Sequence, residues 1–270
     1  MTPVLLFVLF ISLSPIPPGA TDNGEKQESL DASDIIERAN ANITTHLVDG
    51  DIVPNVRRNA MPCTAKGCRW PKSRGHVNVP VYISPNYTRT ERNIIIKALV
   101  TFHASTCIRF VWRNTQRDYL DFFSGSGCWS YLGRQGGGQR VSLKKNGCLL
   151  NSTVQHEVLH ALGFHHEQVR SDRDRYVSIL SQNIKPGQEG NFKKQQTNNL
   201  GTPYDFDSVM HYGKYGFSKN NEPTILAKKN LSRDFGTART MSKNDIARVN
   251  KLYQCKCKWE IMLYSPKVET

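Results

Sequence analysis

The chain has 270 residues, 38% of them hydrophobic, and a formal net charge of +13. That composition supplies a core for one or two domains and excludes wholesale disorder. The charge is divided: residues 21–58 carry eight acidic and four basic side chains, whereas 59–270 carry 32 basic and 15 acidic ones, so the larger part favours an anionic or glycosylated macromolecular partner.

Residues 1–20 read as a signal peptide. They are apolar from Val4 to Leu13, are broken by Pro15, Pro17 and Pro18, and end in Gly19-Ala20. Roughly ten apolar residues fall short of the ~20 that cross a bilayer. No later segment is longer, so no membrane span is expected and the product is expected to be secreted and extracellular, which makes nucleic acid the poorest fit among anionic partners. Residues 21–58 are polar and acidic and end in Arg57-Arg58 before Asn59, where the charge changes sign; they read as a pro-segment cut after Arg58 by an activating protease. Residues 59–255 then form one domain, and 256–270 a short tail.

Within that domain Val77, Val79, Val81 and Ile83 alternate with polar or small neighbours as in a strand, and Pro80 predicts an irregular or edge position for it. Thr88 and Glu91 form a capping box for a helix that buries Ile95, Leu99 and Phe102. Short strands are expected at Cys107–Trp112, Tyr119–Ser124 and Val141–Leu143. A second helix runs from about Asn151 to Leu162. Residues 163–240 are rich in Gly, Asn, Asp and Pro and read mostly as loops, and a last helix opens on Ser242 with Asp245 in its first turn. This is an α+β architecture. Seven cysteines follow the leader: Cys63, Cys68, Cys107, Cys128, Cys148, Cys255 and Cys257. None makes a Cys-x-x-Cys pair, so disulfides are expected rather than a thiolate metal site. Sequons stand at Asn42, Asn86, Asn151 and Asn230.

The chemistry is concentrated in His156-Glu157-Val158-Leu159-His160-Ala161-Leu162-Gly163-Phe164-His165-His166. Histidines four apart share a helix face, so His156 and His160 can clamp one cation. In a continuous helix His166 would lie ~9 Å further along the axis, at ~1.5 Å per residue. The helix must therefore end, and Gly163 stands where a left-handed residue would turn the chain back and return His166 to the metal. Three neutral imidazoles suit Zn²⁺ better than Mg²⁺ or Ca²⁺, which prefer oxygen ligands, and leave a position for water. Glu157 is rotated off the ligand face and is the natural base for that water, which makes peptide-bond hydrolysis the expected reaction. His165 is left out of the metal shell, and His46, His76, His103 and His211 read as structural or solvated.

This motif, with Glu167 after the third ligand, the run Arg170-Ser171-Asp172-Arg173-Asp174, and Ser208-Val209-Met210-His211-Tyr212, resembles the astacin family of metzincin zinc peptidases over roughly 59–255. The resemblance implies a twisted, mostly parallel sheet with two helices in the N-terminal half, an active-site cleft, and a loop-rich C-terminal half closed by a helix. It implies a Met-turn at Met210 beneath the metal, and Tyr212 as a further ligand that can swing away to bind the transition-state oxyanion. It further implies disulfides Cys107–Cys255 and Cys128–Cys148. Cys63 and Cys68 are similar to the extra pair of a six-cysteine teleost group that includes hatching enzymes and nephrosin-like proteases; Cys257 departs from that pattern. Val48-Asp49-Gly50-Asp51 resembles the family's pro-segment switch, in which Asp51 would take the water's place on zinc, while an ordinary Asp-Gly turn is the alternative. The family also implies that the new amino terminus, Asn59, is buried near Glu167.

The expected product is a monomeric zinc endopeptidase acting on egg-envelope glycoprotein. The alternatives are a protease of another tissue acting on soluble proteins, and a non-catalytic zinc-containing binding protein.

Overall fold

A computed structural model of the chain describes residues 31–54 and 68–256. The expected signal peptide, the processing pair Arg58 and Asn59, Cys63 and Cys257 lie outside the described residues.

Nine residues of the acidic segment form helix α1 (Ala32–Asn40), capped by Asp31, whose side chain accepts from the Asp34 amide. Its buried face is Ala32, Ile35 and Ile36. A two-residue strand, β1 (Ile52–Val53), follows. Strand β2 (Lys72–Ser73) turns into β3 (His76–Ile83), whose valines point inwards as their alternation requires. The capping box of Thr88 and Glu91 opens α2 (Arg89–Ser105), which buries Ile95, Leu99 and Phe102. Strands β4 (Ile108–Trp112), β5 (Tyr119–Phe123), β6 (Cys128–Tyr131) and β7 (Gly138–Leu143) complete the main sheet. Helix α3 (Asn151–Ala161) carries the metal-binding motif.

The sheet runs β1-β6-β7-β5-β3, with β4 and the short β2 also paired to β3. The β3–β4, β3–β5 and β5–β7 pairs are parallel, and β6 reverses against β7. Strand β3 is central, which corrects the edge position expected from Pro80. The amide of Val77 and the carbonyl of Val81 bond towards β4, so Pro80 turns its nitrogen the other way, where pairing with β5 begins only at Val81. The missing donor therefore meets no ladder partner. The sheet's valines and phenylalanines share one core with α2 and with Val154, Val158 and Leu162 of α3 and its cap.

Residues 163–240 are loops interrupted by single 3-10 turns and by a two-stranded ribbon of β8 (Val177–Ile179) and β9 (Ile225–Ala227). They enclose a second, smaller core that includes Val177, Phe192, Tyr212 and Phe235. Helix α4 (Lys243–Leu252) opens on a capping box of Ser242 and Asp245 and closes this half. Disulfides join Cys107 to Cys255 and Cys128 to Cys148. The first ties the end of α4 to the start of β4; the second fixes β6 to the segment leading into α3.

Candidate metal centre and cleft

Helix α3 ends as its sequence requires. Gly163 has φ of 107°, its amide bonds back to the His160 carbonyl, and that of Phe164 to the Leu159 carbonyl. This left-handed turn satisfies carbonyls left open at the helix end and sends the chain back across its own last turn. His166 thereby faces His156 and His160. The Nε2 atoms of His160 and His166 each lie 3.1 Å from that of His156, and all three rings are buried.

The opposite ring nitrogens set which tautomer points inward. Nδ1 of His156 donates to the Val209 carbonyl at 2.8 Å, and Nδ1 of His160 to the Phe164 carbonyl at 2.7 Å. With hydrogen on Nδ1, each neutral imidazole turns an Nε2 lone pair inward. Burial reinforces the neutral form of His160, pushing it down to about 4.

Asp51 faces the same point. Its Oδ2 lies 3.0 Å from His156 Nε2 and 3.3 Å from His166 Nε2, and its Oδ1 3.2 Å from His160 Nε2. Burial alone would raise the carboxyl, but positive charge at the rings of His166 and His160 outweighs it, so Asp51 is held well below the usual carboxylate range wherever a cation's charge stands at this point. Inward lone pairs and a carboxylate with 1% of its surface exposed converge as the donors of one cation would. The spacing agrees: tetrahedral bonds of ~2.0–2.1 Å separate neighbouring ligands by roughly 3.3–3.4 Å. The four residues thus make a donor set for one zinc ion.

A tight hairpin delivers Asp51. Val48 and Ile52 exchange both backbone bonds, and Asp49 and Gly50, with φ of 49° and 85°, make the reversal between them. The Asp-Gly turn and the metal-facing aspartate are therefore the same feature rather than alternatives. At Gly50 a Cβ would stand 2.7 Å from the Tyr212 hydroxyl, so only glycine fits. Beyond the turn, β1 adds to β6 in parallel, with Ile52 opposite Ser130. Asn40 extends this contact: its Nδ2 donates to the Cys128 carbonyl at 2.7 Å while its Oδ1 accepts the Cys128 amide at 2.8 Å.

Glu157 is fully buried, and neither carboxylate oxygen has a protein hydrogen-bond partner. Burial, and then the charge of Asp51, push its carboxyl well above the usual range. Tyr212 stands outside the four-residue set: its hydroxyl donates to the Asp49 carbonyl at 2.6 Å, and its ring lies 4.7 Å from that of His166. Met210 is buried in the main core, and its carbonyl accepts the Glu167 amide. His165 also lies outside the set, its Nδ1 3.5 Å from Asp49 Oδ2.

Two supports, Asp245 and His211, are not legible as site residues in the sequence, and for a third, Glu167, the sequence does not show the partners that hold it. Asp245, expected only as a helix cap, also accepts the Ser208 hydroxyl at 2.6 Å and the Val209 amide at 3.0 Å, pinning the turn whose carbonyl orients His156. Glu167 is held by Arg248 through Nη1 and Nη2, by Arg170 at 3.2 Å and by the Asp205 amide at 2.7 Å. His211 is buried, accepting the Tyr204 hydroxyl and donating to the Tyr212 carbonyl. Only the Met-turn spacing hints at His211 or at the turn that Asp245 pins.

Comparison with known proteins places this geometry. Residues 64–254 match the family described as Astacin, a peptidase family. The low choriolytic enzyme of Oryzias latipes is 43% identical over 263 residues, covering 93% of this chain and 97% of the relative. High choriolytic enzyme 2 of the same fish is 44% identical over 233 residues, covering 86% and 84%. The solved structure of high choriolytic enzyme 1, a hatching enzyme zinc-protease of Oryzias latipes, superposes with a TM-score of 0.71 at 45% identity, covering 73% of this chain and 100% of that one. The chain is a zinc-dependent metalloendopeptidase of the astacin family.

Proposed function

We propose that the chain is the latent form of a secreted endopeptidase of egg-envelope glycoproteins, released by cleavage after Arg58. The observation that carries the latency is Asp51, whose carboxylate lies within 3.3 Å of all three histidine Nε2 atoms. Its place is the one a substrate and water need. β1 on β6, Asn40 on Cys128 and Asp49 on Tyr212 hold the segment there.

Bound zinc supplies Lewis-acid polarisation of a carbonyl and a more acidic water. The protein supplies the proton handling. Glu157 has two buried oxygens free of protein partners, and as a carboxylate it is the group of this chain to take a proton from the water and pass it to the leaving amine. Once Asp49 leaves, the Tyr212 hydroxyl has lost its acceptor and is free to donate to the oxyanion. The egg-envelope assignment is supported by identity of 43% and 44% to two choriolytic enzymes and by the cationic sequence after residue 58.

Purified chain treated with a trypsin-like protease should yield a new terminus at Asn59 and then release peptides from isolated egg envelopes in preference to casein. Arg58→Ala should block both. Equal attack on casein and envelopes would remove the envelope assignment, and a mature species of normal size from the variant would remove the processing site.

A further inference from the structure

Glu37, near the end of α1, places its carboxylate on two groups of the C-terminal half. The Phe217 amide donates to Oε2 at 2.7 Å, and Lys185 Nζ to Oε1 at 2.7 Å. Those two donors are held together without Glu37. The Lys185 amide bonds to the Phe217 carbonyl at 2.9 Å, and Ile184 pairs with Ser218 in the adjoining bridge. Phe217 sits at φ of 55°, a left-handed conformation uncommon for a large side chain.

The pair also borders the path of the chain past the metal. The Phe217 ring lies 5.4 Å from that of Tyr212, and a Cβ built on Gly50, the neighbour of Asp51, would stand 3.1 Å from its tip. An amide and a half-exposed ammonium on one carboxylate, with the Phe217 ring against Tyr212, form a ready-made acid-binding pair. In the latent chain the occupant comes from the acidic segment; when that segment leaves, the donors stay.

We propose that Lys185 and the Phe217 amide form a subsite for an acidic side chain of the protein substrate, and that Glu37 fills it in the latent chain. The proposal rests on the endopeptidase reading and on departure of the segment bearing Glu37. Lys185 is a specificity residue here and touches no reacting atom.

The test uses mature enzyme and peptide pairs that differ by Glu or Gln at one position, scanned through four residues on either side of the cleaved bond. At one fixed position kcat/KM should be about fivefold higher for Glu, the size of a partly exposed charge-assisted contact. That ratio should fall to near one in Lys185→Ala, drop below one in Lys185→Glu, and decline for the wild type as salt is raised. Each ratio is taken within one enzyme, so a general loss of activity does not alter it, and the salt series needs no variant. Cleavage with no Glu preference at any position, or a preference that survives both variants, overturns the subsite and leaves the endopeptidase standing. Failure to cleave any peptide overturns the endopeptidase reading, and this proposal with it.

Discussion

The hydroxyl of Tyr212 donates to the backbone carbonyl of Asp49, two residues before the aspartate that faces the histidines. One hairpin thus holds both groups of the cleft: Asp51 faces the metal ligands and Asp49 detains the tyrosine. Burial pushes the Tyr212 phenol well above its ordinary value, which keeps the proton on the hydroxyl that bonds to Asp49.

Asp51→Ala in the uncut chain should release part of the latent activity. The variant loses the carboxylate facing the three imidazoles but keeps β1 on β6 and Asn40 on Cys128. Hydrolysis of a fluorogenic peptide by uncut protein should rise by roughly tenfold or more, the weight of ~1.4 kcal/mol or greater from one buried charged contact. An uncut variant as silent as the parent would show that the switch lies elsewhere in the segment.

Glu157→Gln keeps the size of the side chain and removes its basicity. Zinc content of the processed variant should stay at one per chain while kcat falls by about 10²- to 10⁴-fold, the usual worth of a positioned acid-base group. Metal analysis and peptide hydrolysis on the same sample decide the matter, since undiminished kcat would take the proton transfer away from Glu157.

Asp245→Ala should loosen the metal without touching a ligand. Asp245 fixes Ser208 and Val209, and the Val209 carbonyl orients His156. Loss of such a supporting contact weakens metal binding by about 10- to 100-fold. Competition with a zinc chelator reads this directly, and affinity equal to the parent's would reduce Asp245 to a helix cap.

The docking of α1 should depend on pH through Asp31. Burial, and then Asp34, raise its pKa from 3.8 to about 6. The folded state therefore holds this proton more tightly than the unfolded chain does. The neutral carboxyl's contribution is complete below pH 3.8 and is lost as pH rises through about 6. Asp31→Asn can still accept from the Asp34 amide and carries no charge to bury. It should match the parent near pH 4 and be more stable by on the order of 1–3 kcal/mol near pH 7.5. Comparing the melting temperatures of the two proteins at each pH cancels effects common to both, and a constant difference across the range would contradict the assignment.

The metal site is readable because its information is local: helical spacing joins His156 to His160, and one glycine returns His166. The α2 and α4 caps are legible for the same reason, Thr88 with Glu91 and Ser242 with Asp245 being neighbours in sequence. Strand β6 escapes such a reading because its four residues become a strand only by pairing with β7 and β1, which lie elsewhere in the chain. Helix α1 hides behind its acidic composition, although Asp31 as cap and the apolar Ala32, Ile35 and Ile36 carry the signal. Pro80 misleads because a proline forbids only the bond on its own side, and which side that is depends on where β5 begins to pair. The grip of Arg248 on Glu167 spans 81 residues and leaves no local trace.

The most direct test is to locate zinc in the uncut, zinc-loaded chain by anomalous diffraction and identify its ligands. Nε2 of His156, His160 and His166 and one oxygen of Asp51 should complete a four-ligand shell at ~2.0–2.2 Å. A shell in which water stands where Asp51 is expected, with the hairpin of residues 48–52 lifted out of the cleft, would contradict the account.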